Sequence, residues 1–102
     1  MTTRVIVTQR VREFVKSLAP EPRAKVWRSI KALAQDKGDI KQLEGKLAPY
    51  WRLRVNNMRV IFDVKSQNGQ RTVLCFFADY RATVYAVLEQ LLASEFLDRL
   101  RN

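Results

Sequence analysis

The stretch that decides the fold is YWRLRVNNMRVIFDV, residues 50–64. Apolar and arginine side chains alternate over residues 51–55, which is the period of a strand that is buried on one face. Residues 56–57 are Asn-Asn, and they suit a two-residue turn because asparagine tolerates positive φ better than most residues. A second apolar run occupies residues 58–64, so the stretch predicts a β-hairpin.

A two-residue turn at this position fixes which side chains of the two strands face each other. The predicted pairs are Trp51–Phe62, Arg52–Ile61, Leu53–Val60, Arg54–Arg59 and Val55–Met58. Directly opposed residues share a face of the sheet, so apolar side chains gather on one face and arginines on the other. We call Arg52, Arg54 and Arg59 the arginine face. Opposed arginines repel each other, and a bound anion, for which phosphate is the natural candidate, would offset that repulsion.

The composition indicates a small basic domain and excludes several kinds of site. With 102 residues, of which 47% are hydrophobic, the chain is long enough for a single domain spanning residues 1–102. A net charge of +9 favours a polyanion such as RNA or DNA, an anionic membrane surface or an acidic protein partner. Histidine is absent, which excludes histidine metal ligands and a histidine general base.

Cysteine usage and hydropathy indicate the compartment. Cys75 lies in an apolar run and has no second cysteine to pair with, which suits a reducing cytoplasm and a buried structural role. No apolar stretch is long enough to span a bilayer, and the N-terminus lacks the apolar core of a signal peptide. We therefore expect a cytoplasmic protein without a membrane partner.

Periodicity and turn residues predict the other elements. They are a strand at 4–8, a helix between Thr8 and Pro20, a helix at about 21–37 closed by Gly38, a loop at 39–49, the hairpin, an Asn-Gly turn at 68–69, a strand at 72–78 and a helix at about 82–101. The resulting order is β-α-α-β-β-β-α. It predicts an α+β domain with helices on one face of a mostly antiparallel sheet.

Two motifs resemble a known family. Residues 43–47, LEGKL, followed by YWRLRV at 50–55 and MRVIF at 58–62, resemble the RelE/ParE toxin superfamily. Its pattern is Leu-x-Gly, an aromatic residue, Arg-x-Arg-Val, a short turn and Arg-Val-Ile. Residues 80–85, YRATVY, resemble the closing Arg-x-x-Val-Tyr of that family. The resemblance covers most of the chain and implies the RelE-like microbial RNase fold, a twisted sheet with two N-terminal helices and a C-terminal helix.

The resemblance also implies a function. It indicates the toxin of a type II toxin–antitoxin system, held as a hetero-oligomer by a cognate antitoxin. RelE-like members cleave mRNA on the ribosome without a metal or other cofactor, by attack of the RNA 2′-OH on the adjacent phosphorus. ParE-like members inhibit DNA gyrase instead. The arginine face and Tyr85 favour the RelE branch, and a gyrase inhibitor or a non-toxic RNA- or protein-binding relative remain the alternatives.

The resemblance assigns roles to individual residues. Arg52 and Arg54, with Lys46 nearby, bind phosphate, and the two arginines stand where the family often has lysine. Arg59 matches the arginine that stabilises the phosphorane, and Arg81 matches the arginine of the closing motif. The catalytic set implied by the resemblance is then Arg54, Arg59, Arg81 and Tyr85, where Tyr85 stacks on a base or assists proton transfer.

The general base stays open at this point, because a guanidinium group, with its pKa above 12, is a poor base. The candidates are Lys46, Tyr80, Tyr85 and Asp79. Asp79 stands where well-known RelE nucleases carry a basic residue, and Tyr80 stands where many relatives carry histidine. The competing interpretation of Asp79 is a cap for the last helix. The apolar Phe96, Leu97 and Leu100 of that helix are expected to need a partner.

Overall fold

The computed structural model describes the backbone of residues 2–101 and the side chains of residues 2–95. The elements are β1 (Thr2–Val7), α1 (Gln9–Lys16), α2 (Pro20–Ala32), β2 (Asp39–Gln42), β3 (Trp51–Val55), β4 (Met58–Gln67), β5 (Gln70–Tyr80) and α3 (Val84–Arg101). Short 3-10 turns follow α2 at Leu33–Gln35 and precede β3 at Gly45–Leu47. The five strands form one sheet in the order β1-β5-β4-β3-β2. β1 runs parallel to β5 and the other neighbours are antiparallel, so the predicted α+β class and mostly antiparallel sheet are confirmed.

The central hairpin forms in the predicted register. All five predicted pairs are present between β3 and β4, including Arg54 with Arg59. Asn56 takes a φ of 55°, which is the left-handed conformation that made asparagine a suitable turn residue. The next hairpin turns at Asn68-Gly69, also as predicted, and both of these residues have positive φ.

Both faces of the sheet carry a hydrophobic core. The major core, on the side of α1 and α2, includes the fully buried Val11, Val26, Leu53 and Val60. The minor core, on the side of α3, consists of Leu47, Ile61, Phe77, Val84 and Leu88. The prediction that all helices share one face is therefore wrong. The apolar side chains on the arginine side of β4 and β5 need a cover of their own, and α3 provides it.

A β-bulge interrupts the pairing of β4 with β5. Ile61 pairs with Phe77 but Phe62 pairs with Cys75, so Phe76 is an extra residue on β5. Phe76 and Phe77 consequently both contact the minor core. Cys75 lies in the major core without solvent exposure, and burial raises the pKa of its thiol to about 12.

The segment predicted as a loop at 39–49 contains a strand. Residues 39–42 form β2, which pairs with β3 at the sheet edge. Four residues with one apolar side chain, Ile40, are too few to show a strand period, which explains the error. Leu47 of the following turn is buried in the minor core.

The second helix also ends earlier than predicted. It stops at Ala32, and Asp36, with a φ of 56°, takes the left-handed position after the 3-10 turn. Gly38 is therefore not the cap. It has a φ of 125°, and a Cβ there would lie 2.9 Å from Leu53 Cδ1, so glycine allows the chain to pass close to β3.

The length and hydropathy of a helix decide whether it can cross a bilayer. Within the described part of the chain, no helix is both long enough and apolar enough to cross a bilayer. The side chains of Phe96, Leu97 and Leu100, for which a partner was expected, lie outside the described residues.

Candidate functional site

A cleft of about 420 Å³ lies on the α3 side of the sheet, beside the minor core. Strands β2, β3 and β4, the turn before α3 and the first turn of α3 all contribute to it. The lining residues are Lys41, Gln42, Leu43, Glu44, Leu47, Arg52, Arg59, Arg81 and Tyr85. Four of these side chains are cationic and one is a carboxylate, so the cleft is suited to an anion.

Arg59 is the buried cation of the cleft, with 5% of its surface exposed. Its Nη1 donates to the carbonyl oxygens of Asn56 at 3.0 Å and Met58 at 2.9 Å, which ties the guanidinium to the end of the hairpin. Within residues 2–95 it forms no ion pair with a carboxylate. Because a buried charge without a counter-ion is costly, an anion in the cleft would stabilise this arrangement.

Arg52 is held at the cleft from the edge strand. Its Nη1 donates to the backbone oxygen of Asp39 at 2.9 Å and to Asp39 Oδ1 at 3.0 Å. The Arg52 side chain is 15% exposed, whereas that of Asp39 is 56% exposed. The hydrogen bond from Arg52 holds the pKa of the Asp39 carboxyl below its ordinary value, and the charges of Arg52, Arg54 and Arg59 act in the same direction.

Arg54 lies on the same face of the sheet as Arg59, but it does not line the cleft. It pairs across the strands with Arg59 on one side and Asp39 on the other, and its side chain is exposed. Lys46 is exposed in the 3-10 turn. Neither residue lines the cleft, so both can meet only those parts of a bound polymer that extend beyond it.

The closing motif brings two predicted residues to the cleft. The Arg81 N–H donates to the Asn57 carbonyl at 2.8 Å, which ties the start of the last turn to the central hairpin. Arg81 itself is exposed and lines the cleft. Tyr85, half-buried on α3, packs against the minor core and also lines the cleft.

Tyr80 lies on the opposite face of the sheet from the cleft. It pairs with Met58 and packs edge-on against Phe14 of α1, with ring centroids 5.3 Å apart. The bulge at Phe76 is the physical reason, because the extra residue shifts the face of every later position of β5. Without it, Tyr80 would share the face of Arg59.

Asp79 does share the face of Arg59, but its carboxylate has local partners. Oδ1 accepts a hydrogen bond from the Tyr80 N–H at 2.8 Å, and Oδ2 accepts one from the Thr83 hydroxyl at 2.9 Å. These bonds stabilise the turn that leads into α3. Neither comes from a backbone N–H of α3, which begins at Val84, so they are not the helix cap that was predicted for Asp79. Of the four candidate bases, Tyr85 is the one that the structure places on the cleft.

Two ionisable side chains that line the cleft were not predicted from the sequence as site residues. Lys41 pairs across the strands with Arg52, and it was missed because residues 39–49 were predicted to be a loop. Glu44 lies inside the LEGKL motif but was given no chemical role. Residues two apart on a strand share a face of the sheet. Had residues 39–42 been recognised as an edge strand, Lys41 would have been predicted on the same face as Asp39.

The fold can be compared with known proteins. No protein-family model matches the sequence. No curated protein matches it either. Solved structures do match, and several of them are structures of RelE, YoeB or ParE proteins.

Three of the similar structures illustrate the likeness. One belongs to the RelBE2 toxin–antitoxin complex from Mycobacterium tuberculosis, with a TM-score of 0.64 and 20% identity over 79% of this chain and 100% of that one. A YoeB/ParE toxin from Agrobacterium tumefaciens matches with a TM-score of 0.61 and 16% identity, over 76% of this chain and 97% of that one. The archaeal RelE–RelB complex from Pyrococcus horikoshii matches with a TM-score of 0.59 and 24% identity, over 79% and 97%. The resemblance seen in the sequence is thus confirmed at the level of the fold, and this chain has the fold of the RelE-like toxins.

Proposed function

We propose that this chain is the toxin of a type II toxin–antitoxin system and cleaves ribosome-bound mRNA at the arginine-lined cleft. The observation that carries the proposal is the buried Arg59, whose charge has no carboxylate partner within residues 2–95. Arg52, Arg81 and Lys41 converge on the same cleft from three other segments. A phosphodiester is the anion that such a set of donors fits best.

The proposed reaction needs no metal. The RNA 2′-oxygen forms a bond to phosphorus, the bond from phosphorus to the 5′-oxygen breaks, and the products are a 2′,3′-cyclic phosphate and a 5′-OH end. Arg59 and Arg52 stabilise the charge that grows on the phosphoryl oxygens. Arg81 would bind a flanking phosphate, and Arg54 and Lys46 would contact the RNA beyond the cleft.

The 2′-OH proton passes to a group on the cleft, and the 5′-oxygen takes up a proton as it leaves. The lining side chains that can exchange a proton are Lys41, Glu44 and Tyr85. The Tyr85 ring also offers a surface on which a base can stack. Asp79 is engaged in its turn, so we assign it no step.

The proposed partners follow from the same site. Two of the similar structures are named as complexes of RelE-type toxins with antitoxins, which supports an antitoxin partner here. The net charge of +9 fits both an acidic antitoxin segment over the arginine face and ribosomal RNA around the bound toxin. Action on translating ribosomes would place the protein in the cytoplasm.

Induced expression tests the function directly. We expect growth arrest, inhibited translation and new 5′ ends within the coding region of a reporter message, detected by primer extension. An intact message with a DNA-damage response would indicate a gyrase inhibitor instead. Harmless expression at a high level would indicate a non-toxic binding relative, and either result would overturn the proposal.

Tyr80→Ala is expected to leave cleavage within about twofold of the wild type, because surface substitutions away from a site have small effects. The side chain lies on the α1 face and contacts Phe14, not the cleft. Tyr85→Ala is the matched comparison, and it should lower the cleavage rate by about a hundredfold. Equal losses in the two variants, measured by primer extension at equal protein levels, would contradict this placement.

A further inference from the structure

Asp39 is the one residue outside the cleft that makes an ion pair with a cation lining it, within the described side chains. It lies at the start of the edge strand β2, where it pairs across the strands with Arg54. Both hydrogen bonds from Arg52 Nη1 go to this residue, one to its backbone oxygen and one to its carboxylate. Asp39 thus contacts the guanidinium of Arg52 from the edge of the sheet, and the Arg52 side chain also lines the cleft.

This arrangement divides the donors of Arg52 into two groups. A guanidinium has five N–H groups in a rigid plane. The two on Nη1 point toward the backbone oxygen and Oδ1 of Asp39. Within residues 2–95 no hydrogen bond engages those on Nη2 and Nε, which leaves them for a ligand. A planar group that is fixed along one edge presents its other donors in a constant direction, which lowers the ordering cost of binding.

We propose that Asp39 is a positioning residue that orients Arg52 toward a phosphate of the bound RNA. The inference rests on the proposed function, since the bound phosphate is the one that undergoes cleavage or its neighbour. Asp39 does not contact the substrate in this account. It acts through Arg52.

The sign of the expected effect separates this role from a simple effect of charge. The three arginines of the arginine face lower the pKa of Asp39, so its carboxylate lies within their field. If Asp39 acted only through its negative charge, its removal would strengthen binding of a polyanion. A positioning role gives the opposite result, because Arg52 Nη1 loses the carboxylate of Asp39 and keeps only the backbone oxygen as an acceptor, which leaves the guanidinium less firmly oriented.

The experiment measures binding and cleavage for two substitutions at this position. Asp39→Ala is expected to weaken binding of a short single-stranded RNA with a 2′-deoxy scissile nucleotide by about tenfold, and to slow cleavage of ribosome-bound message by at least as much. Asp39→Asn keeps an oxygen acceptor for Nη1 and removes the charge, so it is expected to bind the RNA as well as the wild type or better. Loss of the charge alone would affect the alanine and asparagine variants equally. Weaker binding by the alanine variant but not by the asparagine variant would therefore identify the positioning role.

A double-mutant cycle with Arg52 isolates the route of the effect. In an Arg52→Ala background, Asp39→Ala should cause no further loss of binding, because the group that it orients is absent. Asp36→Asn is the matched control, since it removes a carboxylate charge from the ion pair with Arg71 and leaves the cleft unchanged. Thermal unfolding of each variant shows that the fold is intact.

The outcomes separate this inference from the proposed function. If the wild type cleaves the message and Asp39→Ala binds RNA equally well or more tightly, the positioning role is overturned and the proposed function stands. Additive losses in the double-mutant cycle would also overturn the positioning role. If the wild type neither binds the RNA nor cleaves the message, the proposed function falls and this inference falls with it.

Discussion

Arg59→Ala is expected to lower the rate of mRNA cleavage by about a hundredfold to a thousandfold, the usual effect of removing a donor that stabilises transition-state charge. The side chain is the buried cation of the cleft, and two carbonyl oxygens at the end of the hairpin fix its direction. Its charge would therefore already be in place before the phosphorane of the proposed reaction forms. Single-turnover cleavage of ribosome-bound message by the purified protein measures the rate.

Two further variants separate the role of Arg59 from general effects. Arg59→Lys keeps a positive charge but cannot reproduce the fork of guanidinium donors, so an intermediate rate is expected. Arg28→Ala removes an exposed arginine from α2, on the other side of the sheet, and should leave the rate nearly unchanged. Growth arrest by Arg59→Ala as strong as that by the wild type, at equal protein levels, would contradict a catalytic role for this residue.

Ile61→Ala is expected to lower the free energy of unfolding by about 2–5 kcal/mol, the range for truncating a buried large aliphatic side chain. Ile61 has no solvent exposure and lies in the minor core between β4 and α3. It is also the cross-strand neighbour of Arg52, so the cavity would open beneath the cleft. Chemical denaturation measured by circular dichroism gives the change in free energy.

Val87→Ala provides the comparison for this prediction. Val87 is on α3 but is 37% exposed, so its truncation should cost less than about 1 kcal/mol. Equal destabilisation by the two substitutions would mean that α3 does not pack on the sheet through the minor core. A decrease in the free energy of unfolding of Ile61→Ala well below about 2 kcal/mol would lead to the same conclusion.

The central hairpin could be predicted because its signals are local. Alternation over residues 51–55 sets the faces, and an Asn-Asn turn of two residues sets the register without any tertiary information. The arginine face follows from this register alone. The convergence of Arg52 and Arg59 on one cleft was therefore predictable in outline, although the burial of Arg59 was not.

The parts of the site that were missed depend on long-range pairing. Lys41 reaches the cleft only because β2 adds to the sheet edge, and a four-residue strand has too short a pattern to be recognised. The face of Tyr80 depends on one extra residue at Phe76, and nothing in that apolar run marks a bulge. Likewise, the side of the sheet on which α3 packs is set by Ile61 and Phe77, which the hairpin pattern alone did not identify as a second core.

The identity of the cleavage products tests the central claim most directly. Purified protein, mixed with ribosomes that carry a defined message, should generate fragments with 5′-OH and 2′,3′-cyclic phosphate ends, and Arg59→Ala should generate almost none. These ends report attack of the RNA 2′-oxygen on the adjacent phosphorus, and their loss in Arg59→Ala would place that phosphate in the cleft. A message that stays intact with the wild-type protein, or fragments that Arg59→Ala produces at the wild-type rate, would contradict the account.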